Sequence, residues 1–403
     1  MKKGRLSACA EDISIKWIRR IGIVLFTLLC AASLFFTRYF PEDYGQEIPY
    51  NRIALFPLTL LGAVLLAAGV WWLGERMTRD PERAERNLKL LLYGDLAWIL
   101  AGGAWWVAVS GCTPVSDQMM VLTSAQRFAE GNYGRLDYGK YLFMHPHQLG
   151  LTAYEEMVFR LFGRENLTAL LLIQVVGIAG AVYFGYRITR YLFQDRRAAA
   201  NYLILAGTCF PFLLYSTYFY GDVPAVVLSL FAVWQLLRYL KEGKRSSLVL
   251  LVLGVSLAVL MRNNSVIVLI ACACVLLVKA VSRRRAEYVL CAALMAFGVF
   301  GGRQILRATY EERCGHELNA GMPMILYIAM GMQEGDKEAG WYNGYNMYTY
   351  QDVCLYHGPT AAELGKAEIR ARAKEFLLHP IYGLDFYWRK FSSQWSEPTY
   401  GCF

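Results

Sequence analysis

"LLLIQVVGIAGAVYFGYRITRYLFQDRR" occupies residues 170–197. Residues 168–186 carry no charge, and about 20 such residues suffice for a helix to cross a bilayer. Four arginines follow at once: Arg187, Arg190, Arg196 and Arg197. An apolar block closed by a basic cluster is the signature of a membrane span and the side on which it ends. The pattern recurs along all 403 residues, of which 56% are hydrophobic and 18% charged. It predicts nine spans, at roughly 21–39, 52–74, 90–110, 168–186, 200–220, 224–240, 248–261, 265–281 and 288–306. The block at 248–261 is the shortest.

The links between blocks alternate in character. Lys2, Lys3, Arg5, Lys16, Arg19 and Arg20 precede the first block, and Arg76, Arg79, Arg83, Arg86 and Lys89 follow the second. Lys241, Lys244 and Arg245 follow the sixth, and Arg283, Arg284 and Arg285 the eighth. With nine spans all these clusters share one side, which the positive-inside rule makes cytoplasmic. The N-terminus is then cytoplasmic and the chain a multi-pass protein of the plasma membrane. The first block lacks a small-residue cleavage site and reads as an anchor. The net charge of +9 belongs to these links, so nucleic acid is not an expected partner. The opposite side receives 40–51, the long loop 111–167, the "YGDVP" and "RNN" turns and everything after about 307. This gives a transmembrane region over 1–306 and an extracytoplasmic segment over 307–403.

The loop 111–167 contains "DQMMVLTSAQRFAEGNYGRLDYGKYLFMHPHQLG" at 117–150. Val121, Ala125, Phe128 and Ala129 share a helix face, as do Leu151, Tyr154, Val158 and Leu161. Two amphipathic helices joined by an aromatic link are predicted to lie on the outer leaflet. Asp117, "AQRFAEGNYG", "YLFMHPHQLG" and "RLFG" resemble the first outer loop of GT-C membrane glycosyltransferases, in particular the bacterial protein O-mannosyltransferase-like group (glycosyltransferase family 39). "LLHPIYGLDFYWRKFSSQW" at 377–395 resembles the same group. The resemblance implies an α-helical polytopic, GT-C-like bundle. It implies transfer of a sugar from a polyprenyl-phosphate donor to a glycan, lipid or protein acceptor at the outer face, with membrane lipids as partners. Relatives carry two adjacent acids in the loop, place it after the first span and continue into further spans. Here Gln118 follows Asp117 and two further spans come before the one that leads into the loop, so a shortened or truncated layout is expected.

Asp117 is the candidate general base, since sugar transfer needs a proton acceptor near the attacking hydroxyl; Ser116 and Asp117 are equally suited to cap a helix. His145 and His147, two apart in an extended link, point the same way and suit a metal pair, a phosphate or sugar contact with Gln148, or a solvated loop. No third ligand is evident, and a divalent metal is left open. Arg262, with Asn263 in "RNNS", and Arg303 suit a lipid phosphate or snorkelling to headgroups. Asp222 suits a helix cap or a second carboxylate facing Asp117. Asp95, two turns into the third span, is expected to be paired or hydrated. Cys314 and Cys354 share the last segment and read as a disulfide or two free thiols. "TAAE" from Thr360 predicts a capping box for a helix ending before Pro380. Ile381, Leu384, Trp388, Phe391 and Trp395 predict an interfacial helix with Arg389 and Lys390 at the headgroups. "WYNGYNMYTY" at 341–350 suits stacking on sugar or an aromatic belt. A lipid-linked sugar transporter or flippase, or a non-catalytic assembly subunit, are the competing readings. A transporter favours broken, repeated spans with polar residues at the midplane. No glycine-rich phosphate loop or D-x-D pair suggests a nucleotide-sugar enzyme.

Overall fold

The computed structural model describes residues 2–35, 38–39, 48–49, 56–335 and 338–395. The protein is a polytopic helical membrane protein. Among the described residues, six helices are long and apolar enough to cross a membrane, and a shorter apolar one spans Arg245–Met261. The predicted outer stretch 40–51 lies outside the described residues apart from a two-residue antiparallel pair, Arg38–Tyr39 with Ile48–Pro49. The residues after Trp395 also lie outside.

The chain begins with α1 (Lys2–Phe35), α2 (Phe56–Thr78) and α3 (Pro81–Val109). Asp80 caps α3 by accepting from the Glu82 N–H, and Pro81 sits in the first turn, where its missing N–H costs nothing. Two amphipathic helices follow, α4 (Ser116–Ala129) and α6 (Leu149–Phe162), separated by the single turn α5 (Tyr141–Met144). They pack on each other as the two apolar faces require, burying Leu122, Ala125, Val158 and Phe159 with Leu170 and Leu171 of α7 (Leu167–Phe193). Of the six candidate spans, α7 is the most buried and α2 the least.

The fifth predicted span is not one helix. It divides into α8 (Arg196–Gly207) and α9 (Phe210–Leu214), followed by irregular chain to Gly221. Pro211 is the cause: it has no N–H to donate to the Gly207 carbonyl four residues back and its ring would clash with it, so α8 stops there and the proline sits in the first turn of α9. Asp95 of α3 faces this break. A Cβ on Gly207 would collide with the Asp95 carboxylate, and Asp95 Oδ2 has no hydrogen-bond partner. Of the two expected outcomes for Asp95, pairing or hydration, pairing is not seen at Oδ2 among the described residues.

The remaining spans are α10 (Asp222–Glu242), α11 (Arg245–Met261), α12 (Val266–Arg283) and α13 (Glu287–Cys314). Ala232, Leu251, Val255, Cys272, Leu276 and Met295 form their common core. Gly254 lets α11 approach Phe231 and Ala232 of α10 closely. α13 overshoots its predicted end by eight residues, to Cys314. Arg307 and Glu311 pair one turn apart at 2.8 Å. Glu156 of α6 binds Arg313 at 3.2 Å and accepts the Tyr310 hydroxyl. These polar contacts continue the helix where apolarity stops.

The last segment folds as α14 (Met324–Met330), α15 (Tyr345–Tyr348), α16 (Gly358–Leu378) and α17 (Pro380–Trp395). α16 ends before Pro380 as its sequence predicts, but His357, not Thr360, caps it, accepting from the Thr360 N–H. Arg389 and Lys390 do not face outward. Arg389 binds Glu334 and Asp385, and Lys390 donates to the Gly331 carbonyl, clamping the preceding loop on α17. Ile381 and Leu384 are exposed. Trp341 donates to Ser393 Oγ and Tyr350 is fully buried, so these two aromatics of the 341–350 stretch are structural. Cys314 and Cys354 are free thiols.

Candidate active site

Gly221 has φ +84°, and a Cβ there would meet the Met261 carbonyl; a Cβ on Gly150 would meet that of Leu260. Two glycines thus let the start of α6 and the turn before α10 close on the end of α11. The turn is recessed: Gly177, ten residues into α7, lies level with Val223. At 1.5 Å per residue, α7 rises about 15 Å beyond it.

Tyr220 is the hub. Its hydroxyl donates to Asp117 Oδ2 (3.0 Å) and accepts from Gln148 Nε2 (2.7 Å). The Tyr141 hydroxyl lies 3.4 Å away. The Tyr220 carbonyl accepts from Arg262 Nη1 (2.9 Å), and the guanidinium lies 4.4 Å from the centre of the Tyr220 ring. Arg262 Nε also pairs with Asp222 Oδ1 at 3.2 Å. Sequence reasoning placed Asp117, Gln148, Asp222 and Arg262 near the site but missed Tyr220. Its signal was an aromatic residue directly before a glycine turn, in "YFYGDVP".

Several individual expectations change. Val115, without a side-chain bond, is the N-cap of α4, so Asp117 does not cap; its exposed carboxylate is held by Tyr220 instead. Asp222 is the first residue of α10, after Gly221, and spends its Oδ1 on Arg262 rather than facing Asp117. His145 and His147 are not joined by an extended link: Pro146–Gln148 forms a 3-10 turn, and their rings are perpendicular with centroids 5.7 Å apart. His145 Nδ1 meets the Tyr327 hydroxyl of α14 at 3.1 Å. Among the described residues no three His, Cys, Asp or Glu side chains gather at metal-binding spacing.

A cavity of 740 Å³ opens beside the hub, lined by His147, Asn263, Arg303, Gln304, Arg307 and Asn319 among others. Arg303 donates to Asn263 Oδ1. His147 therefore links the two halves of the site. Burial chiefly, then His145 and the cations Arg262 and Arg303, pushes its imidazole down to about 4, against the pull of Asp117. His145 is lowered as well, by burial, with Asp117 opposing. Both rings are neutral donor–acceptors near pH 7, and the positive charge of the cavity resides on its arginines.

Residues 149–301 match the family model described as dolichyl-phosphate-mannose-protein mannosyltransferase. The matched segment runs from α6 into α13 and contains Tyr220, Asp222, Arg262 and Asn263. Asp117, His145, His147, Gln148 and Arg303 fall outside it. No curated protein and no solved structure matches the chain.

Proposed function

We propose that this chain, similar to the GT-C membrane glycosyltransferases through residues 149–301, transfers a sugar from a polyprenyl-phosphate donor to an acceptor hydroxyl at the outer membrane face. The observation that carries the reading is one exposed carboxylate, Asp117, fixed by Tyr220 beside a cavity bearing Arg303 and a neutral His147. Asp117 takes the proton of the acceptor hydroxyl, and the freed oxygen attacks the anomeric carbon. The bond from that carbon to the phosphate oxygen breaks, and the negative charge gathers on the leaving lipid phosphate. Arg303 and the His147 N–H stabilise that charge by charge-assisted hydrogen bonds. Arg262 acts through its pair with Asp222, holding Tyr220 and thereby Asp117.

The outer placement is supported by the far end of α7, where Arg190, Arg196 and Arg197 surround Glu85 and Glu75. That is the arginine-rich end, remote from the hub.

Asp117→Asn tests the reading. Its unfolding temperature should match the parent, because Asp117 caps nothing. Transfer from a labelled polyprenyl-phosphate sugar should fall about a hundredfold or more. Near-normal turnover in this variant would remove Asp117 from the reaction.

A further inference from the structure

A second cavity, of 390 Å³, adjoins Asp222 at the start of α10. Its walls are Ile178 and Ala181 of α7, Cys209 and Phe212 around the broken fifth span, and Val223 and Val226 of α10, with Asp222 at its rim. The break at Pro211 creates it, since an unbroken helix would fill the space. Ala181 lies fourteen residues into α7, about 21 Å at helical rise, so the cavity descends into the hydrocarbon layer. Val226, 52% exposed, opens its wall to lipid.

The two cavities differ in charge. The first carries Arg303, Arg307, Asn263 and His147, the groups a phosphate needs. The second holds a carboxylate and no cation among its lining residues. Asp222 is already paired through Oδ1 with Arg262, so the pair offers a phosphate no net positive charge, whereas the unpartnered Oδ2 of Asp222 can accept from a hydroxyl. Asp222 is two residues from Tyr220, whose hydroxyl holds Asp117.

We propose that this second cavity seats the hydrocarbon chain of the acceptor, a membrane lipid with a free hydroxyl and no phosphate on its head. The inference rests on the glycosyl-transfer reading and names its acceptor class: a lipid entering from the bilayer rather than a protein. Its volume falls within the usual range of about 300–1,000 Å³ for small-ligand sites.

The test uses the full chain in phosphatidylcholine vesicles with two photoreactive probes, a diazirine-bearing diacylglycerol and a diazirine-bearing phosphatidic acid. The diacylglycerol should label residues 209–226 about tenfold more than phosphatidic acid does, the equivalent of about 1.4 kcal/mol in preference. Ala181→Phe should abolish that labelling, and Val226→Phe, at an exposed lining position, should do so even if the first variant fails to fold. Equal labelling by both probes, or labelling spread evenly over the spans, overturns the proposal. Label from the sugar donor appearing in protein rather than in lipid extracts also overturns it. Because photolabelling needs no turnover, its result is independent of Asp117→Asn, whose failure would count against the transfer chemistry alone.

Discussion

Tyr220 contributes two different groups to one site, a hydroxyl to Asp117 and Gln148 and a carbonyl and ring face to Arg262. Tyr220→Phe removes only the hydroxyl. A hydrogen bond to a charged group contributes about 1.5–3 kcal/mol to stability, so the variant should unfold a few degrees lower while the Arg262 contacts persist, and kcat should drop at least about tenfold because Asp117 loses the group that fixes it. An unchanged kcat would show that Asp117 is positioned by something else. His147 makes a claim about acid. Its folded value, about 4, lies below the ordinary 6.5, so the unfolded chain binds the proton first as pH falls. His147 therefore costs nothing above pH 6.5 and erodes stability progressively between 6.5 and 4. His147→Gln should flatten this part of the stability profile, measured by thermal unfolding across pH 4–7. A slope equal to the parent's would contradict the buried, neutral imidazole.

At the scale of elements, α6 is an amphipathic helix that buries two acids, Glu155 and Glu156, of which only Glu156 is partnered. Glu155 is wholly buried, and neither carboxylate oxygen has a hydrogen-bond partner. Burial raises its acid well above the ordinary 4.5. The folded protein thus keeps a proton that the unfolded chain releases above pH 4.5, and stability falls as pH rises from there. Glu155→Met replaces an unpaired polar group by an apolar one of similar length. Burying such a group costs about 1–3 kcal/mol, so the variant should unfold several degrees higher at pH 7, with the gain shrinking toward pH 4. A lower unfolding temperature would mean that Glu155 has a function its contacts do not reveal. The same helix holds Glu156, which ties α6 to α13 through Tyr310 and Arg313.

For the whole molecule, the prediction concerns sidedness. Cysteine placed at 137, in the loop between α4 and α5, should react with an impermeant reagent in intact cells. Cysteine at 284, in the turn after α12, should react only after lysis. The reverse pattern would invert the molecule and move the proposed site to the other face. His316 near Asp137 and the Met322 N–H on the Met144 carbonyl join the loop to the last segment, so both would move together.

The positions of the apolar blocks, and hence the helical polytopic build, follow from the sequence because hydrophobic length is a local property. The loop acid, the histidines and the arginines were legible for the same reason: charge is conspicuous in an apolar chain. Pro211 was equally visible, yet whether a proline kinks a span or ends it depends on what packs beside it, here Asp95 against Gly207. Tyr220 was the hardest to see, one tyrosine among 27. Its importance arises only when Gly150 and Gly221 let three backbones, far apart in sequence, close to contact distance. Which arginine is paired and which faces a cavity is likewise a matter of long-range geometry. Asp222 reaches Arg262 across 40 residues, and Asn263 reaches Arg303 across another 40. No local spacing encodes either choice.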